Sequence, residues 1–285
     1  LLTVFVKHKD KISWAIENRP HESWQYIHAR FNPETFEEYW EEWGNRQNDA
    51  VGEVLNLIVD LELRGEGVVE SADERAMVQQ IVDYLVTLAY WNDPDNGIWE
   101  ENVEVHASSI GAVVAALKKA DQLEWVTVPA EAITRGEQAL RELLPRESDT
   151  KFVDLALLSL IYPFAVTTED ETAAILSNVE YHLLRDRGVL RYKLDRYYNK
   201  NEDGYSEEAE WCFGLAWFAI IYAERGEKER AYYFLRRAKA ALSPEGAMPE
   251  LYYSHTDIPN ENTPLAWSES MYVVALKKVR DMEGM

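Results

Sequence analysis

From residue 48 to the carboxy-terminal end, apolar residues return at three- and four-residue intervals in one segment after another, and they almost nowhere alternate with polar ones. Val51, Val54, Leu55, Ile58 and Leu61 make one such stripe, and Met77, Ile81, Leu85 and Leu88 make the next. That period is the mark of a helix with one buried face. The pattern predicts helices over 1–18, 48–64, 72–90, 105–120, 128–144, 151–161, 168–185, 205–225, 227–242 and 264–282. Stops and starts agree with it: Arg19-Pro20 closes the first, Gly65 and Gly67 the second, and Ser71 can cap the third. With strand signals nearly absent, alternating βα folds are excluded and an all-α array remains. No fixed-length repeat is present, which disfavours tetratricopeptide and armadillo solenoids. A closed toroid of helical hairpins fits better. No linker divides the chain, so one domain over 1–285 is expected.

The charge narrows the partners. A formal net charge of -22 and a pI near 4.7 leave no basic stripe to neutralise phosphates, which argues against nucleic acid and anionic membranes and for a neutral ligand. Cys212 is the only cysteine, so no intramolecular disulfide, zinc ribbon or thiol redox pair is possible. No run reaches the ~18 apolar residues of a membrane span and no signal peptide is visible, so a cytoplasmic location is expected. The chain opens on Leu1-Leu2 without a methionine, as a fragment of something longer would. The six histidines fall in no ligand spacing, so no transition-metal site is expected. The oligomeric state is not legible.

Four connections combine aromatic rings with charged or hydrogen-bonding groups. They are Trp43 to Asp49, Trp91 to Ser109, Gly188 to Asn199, and Met248 to Leu251 together with Thr263 to Ser268. Flat amphipathic rings on loops can stack on sugar faces. In a barrel of hairpins alternate connections emerge at the same end, where such loops can form one mouth. The richest is Trp91 to Ser109, which sets Trp99 beside the adjacent carboxylates Glu100 and Glu101.

The motifs Gln47-Asn48-Asp49-Ala50, Gly97-Ile98-Trp99-Glu100, Arg191-Tyr192, Met248-Pro249-Glu250 and Thr263-Pro264-Leu265-Ala266-Trp267-Ser268 occur in this order. Together they resemble the family 15 glycoside hydrolases, the glucoamylases and glucodextranases, over roughly residues 25–280. Gly97 to Glu100, with His106 to Gly111 downstream, is also similar to the amino-terminal domain of phosphorylase kinase regulatory subunits. The resemblance implies an (α/α)6 barrel of twelve helices with a pocket for the non-reducing end of an α-glucan. The ten helices would be its third to twelfth. The first hairpin, whose loop in the family carries an Arg-Asp pair that holds the terminal glucose, has no counterpart upstream of Trp24.

Glycoside inversion needs one carboxyl group to protonate the leaving oxygen and a second to activate water on the opposite face of the sugar. By the resemblance Glu100 is the general acid and Glu250 the general base. Arg191 would hydrogen-bond sugar hydroxyls, Trp43 would flank the leaving-group side, Glu101 would contact the acceptor sugar and Trp267 would line the pocket floor. Trp99 and Tyr192 belong to the same substrate-binding motifs. One departure is visible: the family usually has Gln after the base, and here Leu251 stands there. No cofactor is implied.

Each assignment has a plainer rival. Arg191 can pair with Asp195 or Glu210, Trp43 and Trp267 can be ordinary core rings, and Ser108 and Ser109 read as helix-start or close-packing residues. The run Asn199 to Glu210 nearly reproduces the calcium loop Asp-x-Asn-x-Asp-Gly-x5-Glu, but no convincing helix enters it. It reads as a polar turn, with calcium as the alternative. For the whole chain, inverting exo-hydrolysis of an α-linked glucan stands beside two alternatives: a non-catalytic glucan-binding or regulatory module, and a helical scaffold for protein partners.

Overall fold

A computed structural model of the protein describes residues 2–39, 44–198 and 208–282. The chain folds as two compact units, Leu1–Thr150 with Phe164–Val166, and Lys151–Pro163 with Thr167–Met285.

The first unit contains α1 (Leu2–Lys7), α2 (Lys9–Asn18), α3 (Asn48–Leu63), α4 (Ala72–Leu88), α5 (Ala107–Ala120) and α6 (Ala130–Leu143). The helix expected over 1–18 is broken at His8, whose ring meets Phe36 O at 2.7 Å, a partner 28 residues away that no local pattern announces. Ser71 caps α4 as expected: its hydroxyl accepts from Glu74 N and the Glu74 carboxylate accepts from Ser71 N, a reciprocal capping box. At the other end Ala89 turns left-handed, with φ 55.

The centre of this unit is α5. Twelve of its fourteen residues are buried, and small side chains such as Ala107, Ser108, Gly111, Ala112, Ala115 and Ala116 let neighbours approach it from every side. Gly52 of α3 meets it backbone to backbone: a Cβ there would lie 3.0 Å from Val113 N and 3.1 Å from Ala112 C. On α6, Ala132, Gly136 and Leu140 form the buried stripe, and Tyr90 fits over Gly136 to donate its hydroxyl to Ala132 O at 3.0 Å.

The second unit contains a 3₁₀ helix (Leu155–Leu160), α7 (Glu169–Leu183), α8 (Phe213–Glu224), α9 (Lys228–Ala240) and α10 (Ala266–Asp281), with two short strands, β1 (Glu210–Trp211) and β2 (Leu251–Tyr252). Here α8 is the centre, apolar on every face and buried from Phe213 to Ala223, with α9 and α10 packed on it.

Two expected helices are corrected. The segment 151–161 gives only the 3₁₀ helix, because Asp154 pairs with Tyr192, Leu155 N donates to Arg191 O, and Pro163 follows before a full α-helix can grow. Of the helix expected over 205–225, residues 205–207 lie outside the described residues, and α8 begins at Phe213 because Glu210 and Trp211 pair antiparallel with Tyr252 and Leu251. Those partners lie some forty residues downstream and are invisible to periodicity. The all-α class holds, with the strands confined to two residues each among the described residues. No described helix is long and apolar enough to cross a membrane.

Candidate functional site

Glu100 belongs to the first unit. Its loop is closed at the base by Asp95 and Glu104, which exchange backbone hydrogen bonds at 2.8 and 2.9 Å. Inside that pair, Glu101 N donates to Asn96 O at 3.0 Å, and the Asn96 amide donates to Glu101 O at 2.6 Å. Two residues of the tip take left-handed backbone, Gly97 at φ 62 and Glu100 at φ 58. Glycine is required at 97 because a Cβ would lie 2.9 Å from the His106 ring. For Glu100 the same conformation costs about 1 kcal/mol, and such strain is retained where surrounding structure imposes it. Trp99 is buried at 8% exposure, while Glu100 is half-buried and its carboxyl makes no hydrogen bond or ion pair among the described residues.

Beneath this loop lies a buried acidic cluster that sequence reasoning did not assign. Asp95 Oδ2 accepts from Asn48 N at 2.9 Å, which ties the loop to the start of α3. Glu147 accepts the Ser108 hydroxyl at 2.5 Å and the Ser108 amide at 3.2 Å, and its Oε1 stands 3.4 Å from His106 Nδ1. Asp93 takes Tyr26 OH and the Asn48 amide, both at 3.2 Å. Burial, reinforced by the neighbouring Asp49 charge, pushes Asp95 up to about 8. Burial also pushes Asp49 up, to about 6. Asp49 was legible only as part of a motif. Ser108 is a helix-start residue as read, with its hydroxyl committed to Glu147.

Glu250 belongs to the second unit and leads into β2. Its backbone is held on both sides: Cys212 N donates to Glu250 O at 3.0 Å and Glu250 N donates to Asn262 O at 3.1 Å. The carboxylate is anchored at Oε2 by side-chain amides, Asn260 Nδ2 at 2.5 Å and Asn262 Nδ2 at 2.8 Å. Oε1 has no hydrogen bond among the described residues, and the side chain is half-buried. Neither Asn260 nor Asn262 was singled out from the sequence; the signal was two asparagines at alternate positions just before Thr263-Pro264. Leu251, where the resemblance led to Gln, is fully buried and pairs with Trp211.

For Arg191 the plainer rival describes what is seen. It is 4% exposed and grips Asp195 in a bidentate pair, Nε to Oδ2 at 2.7 Å and Nη2 to Oδ1 at 2.8 Å. Its guanidinium also lies 4.8 Å from the Trp211 ring centroid and 5.0 Å from that of Tyr197. Tyr192 is half-buried with Lys151 Nζ 4.0 Å above its ring. Trp267 is not a core ring: it is 37% exposed in the first turn of α10 and stacks on Phe213 at 4.3 Å between centroids. Trp43 lies outside the described residues, as does 199–207, nearly all of the calcium-like run. Its last position, Glu210, is described: the carboxylate accepts Arg187 N at 2.7 Å and His255 N at 3.2 Å.

A wild-type glycosidase superposes with TM-score 0.79 at 22% identity, over 98% of this chain and 80% of that one. A glycosidase variant in complex with glucose gives 0.77 at 21% identity, with the same coverage. Glucoamylase from Saccharomycopsis fibuligera gives 0.65 at 13% identity, over 99% of this chain and 84% of that one. The fold is therefore the glucoamylase-like (α/α)6 array of helical hairpins.

Residues 13–152 match the family described as Glycosyl hydrolases family 15. The probable phosphorylase b kinase regulatory subunit alpha of Caenorhabditis elegans is 29% identical over 82% of this chain and 23% of its own length. The chain thus spans about a quarter of the curated relatives it matches. It is a relative of the family 15 glycosyl hydrolases and of the phosphorylase kinase regulatory subunits.

Proposed function

We propose that residues 1–285 act as one glucoamylase-like domain that hydrolyses an α-linked glucan or gluco-oligosaccharide from its end with inversion, without a cofactor. The observation that carries this reading is the state of the two carboxyl groups. In these units several loop acids are committed: Glu147 to Ser108, Asp195 to Arg191, Glu210 to backbone amides. Glu100 and the Oε1 of Glu250 are without partners among the described residues. An acid that gives a proton and a base that takes one from water must both have an oxygen to spare. Glu100 supplies the acid and Glu250 the base. Trp99, Glu101, Tyr192 and Trp267 supply contact to sugar rings and hydroxyls, and Trp43 does so from the leaving-group side. Arg191 acts through the Asp195 pair, which fixes the wall that Tyr197 and Trp211 form around it. The neighbour solved with glucose supports a sugar as ligand. The acidic surface suits a neutral saccharide, and a cytoplasmic location goes with this reading.

The experiment is hydrolysis of maltotriose, isomaltose, trehalose and soluble starch by wild type, Glu100→Gln and Glu250→Gln, with the product anomer read by NMR. Each substitution is expected to lower kcat by about 10²-fold or more, the usual worth of a general acid or base. Wild-type turnover that both substitutions leave intact overturns the assignment.

The relation to kinase regulatory subunits favours a second reading, a non-catalytic glucan-binding or regulatory module. It predicts calorimetric binding of maltotriose with no turnover by any variant. A helical scaffold for protein partners predicts neither turnover nor binding.

A further inference from the structure

Leu251 raises a specific question, because a base that activates water must be aimed, and a leucine has no group with which to hold it. The structure shows another means within the second unit. The chain leaves Glu250 through β2, turns, and returns antiparallel: Tyr252 bridges Pro259, Asn260 N donates to Leu251 O at 3.1 Å, and Glu250 N donates to Asn262 O at 3.1 Å. Asn260 and Asn262 are two apart, and both amides reach the same carboxylate oxygen, at 2.5 and 2.8 Å.

The orientation of the Asn260 amide is forced by charge. With the amide reversed, its carbonyl oxygen would face the carboxylate, oxygen against oxygen, so the NH2 group must point at Glu250. The consequence is visible in the structure: Asn260 is 3% exposed and its Oδ1 is left with no hydrogen bond among the described residues. A buried carbonyl without a donor is unfavourable, and it is retained here because the charge-assisted bond outweighs it. Asn262 Nδ2 also reaches Tyr198 OH at 3.1 Å.

We propose that Asn260 and Asn262 are positioning residues for the general base: they pin Glu250 Oε2 and so aim Oε1, the oxygen that takes the proton from water. This rests on the reading of Glu250 as the base.

The test compares wild type with Asn260→Leu and Asn262→Leu, the second at an exposed position where folding is not at stake. On the glucan that wild type hydrolyses, each substitution is expected to lower kcat by about tenfold to a hundredfold with KM within about twofold. Asn262→Gln, which keeps an amide, is expected to recover part of kcat. Unchanged kcat in both leucine variants overturns the proposal, as does a rise in KM alone. If wild type hydrolyses no glucan, the reading of function fails separately, and the carboxylate itself still gives the answer. Its carboxyl NMR signal, assigned by its loss in Glu250→Gln, should be displaced at neutral pH in Asn260→Leu and Asn262→Leu relative to wild type, because each variant removes a donor from Oε2. A signal that neither substitution moves overturns the proposal.

Discussion

Glu147 is 1% exposed and holds both the hydroxyl and the amide of Ser108 at the first turn of α5. Removing its side chain as Glu147→Ala would strand two buried donors, at ~1–3 kcal/mol each. A loss of roughly 3 kcal/mol is expected from urea denaturation; an unchanged midpoint would mean that water replaces the carboxylate without cost. The Arg191–Asp195 pair gives a sharper case, because Arg191 is 4% exposed and Asp195 1%. Asp195→Ala leaves a buried cation with its principal partner gone and should cost ~3–5 kcal/mol. The same substitution made in the presence of added formate would show partial recovery of Tm if the vacated anion position accounts for the loss.

Among the elements, α6 and α5 are joined through a position where helix propensity and packing oppose each other. Alanine at 136 would favour the helix by ~1 kcal/mol over glycine. Its Cβ, however, would lie 2.0 Å from Tyr90 OH and 2.7 Å from Val114 Cγ2. Tyr90 is wedged by its own hydrogen bond to Ala132 O, so neither group can yield cheaply. Packing therefore wins, and Gly136→Ala is expected to destabilise by ~1–3 kcal/mol. A rise in Tm would show that α6 shifts on α5 more freely than this contact implies.

On the scale of the molecule, the buried acids set a pH dependence whose sign is opposite to the usual one. Asp95 is raised from 3.8 to about 8 by burial and by Asp49, so between those values the folded chain binds more protons than the unfolded one. Stability then falls as pH rises from about 4 to about 8. The exposed acids held low by partners, such as Glu169 beside Arg225 and Glu74 beside Ser71, act in the other direction and only at pH below their ordinary range. Asp95→Asn should flatten the fall of Tm across the interval, and a slope equal to that of wild type would remove Asp95 as its source. A net charge of -22 adds self-repulsion, so Tm at neutral pH should rise when salt is increased from a low level.

Most of the helices were legible in the chain alone, because a buried stripe at period 3.6 and a cap such as Ser71 with Glu74 are written within one turn or two of sequence. The lack of alternation gave the fold class, and five motifs in order gave the resemblance to a family. Glu100 and Glu250 were marked by that resemblance, on loops whose aromatic and charged composition already made them candidates. What depends on partners far along the chain was settled by tertiary structure. The helix expected from 205 starts late because Trp211 pairs with Leu251, and the segment 151–161 fails to grow because Asp154 pairs with Tyr192. Asp95 is a clamp because α3 brings Asn48 to it. Asn260 and Asn262 reach Glu250 because the chain turns back beside β2. Periodicity reports which face of an element is apolar; it carries nothing about which distant groups will satisfy a buried hydrogen bond or charge, and on that the commitment of Glu147 to Ser108 and of Glu210 to Arg187 N and His255 N turned.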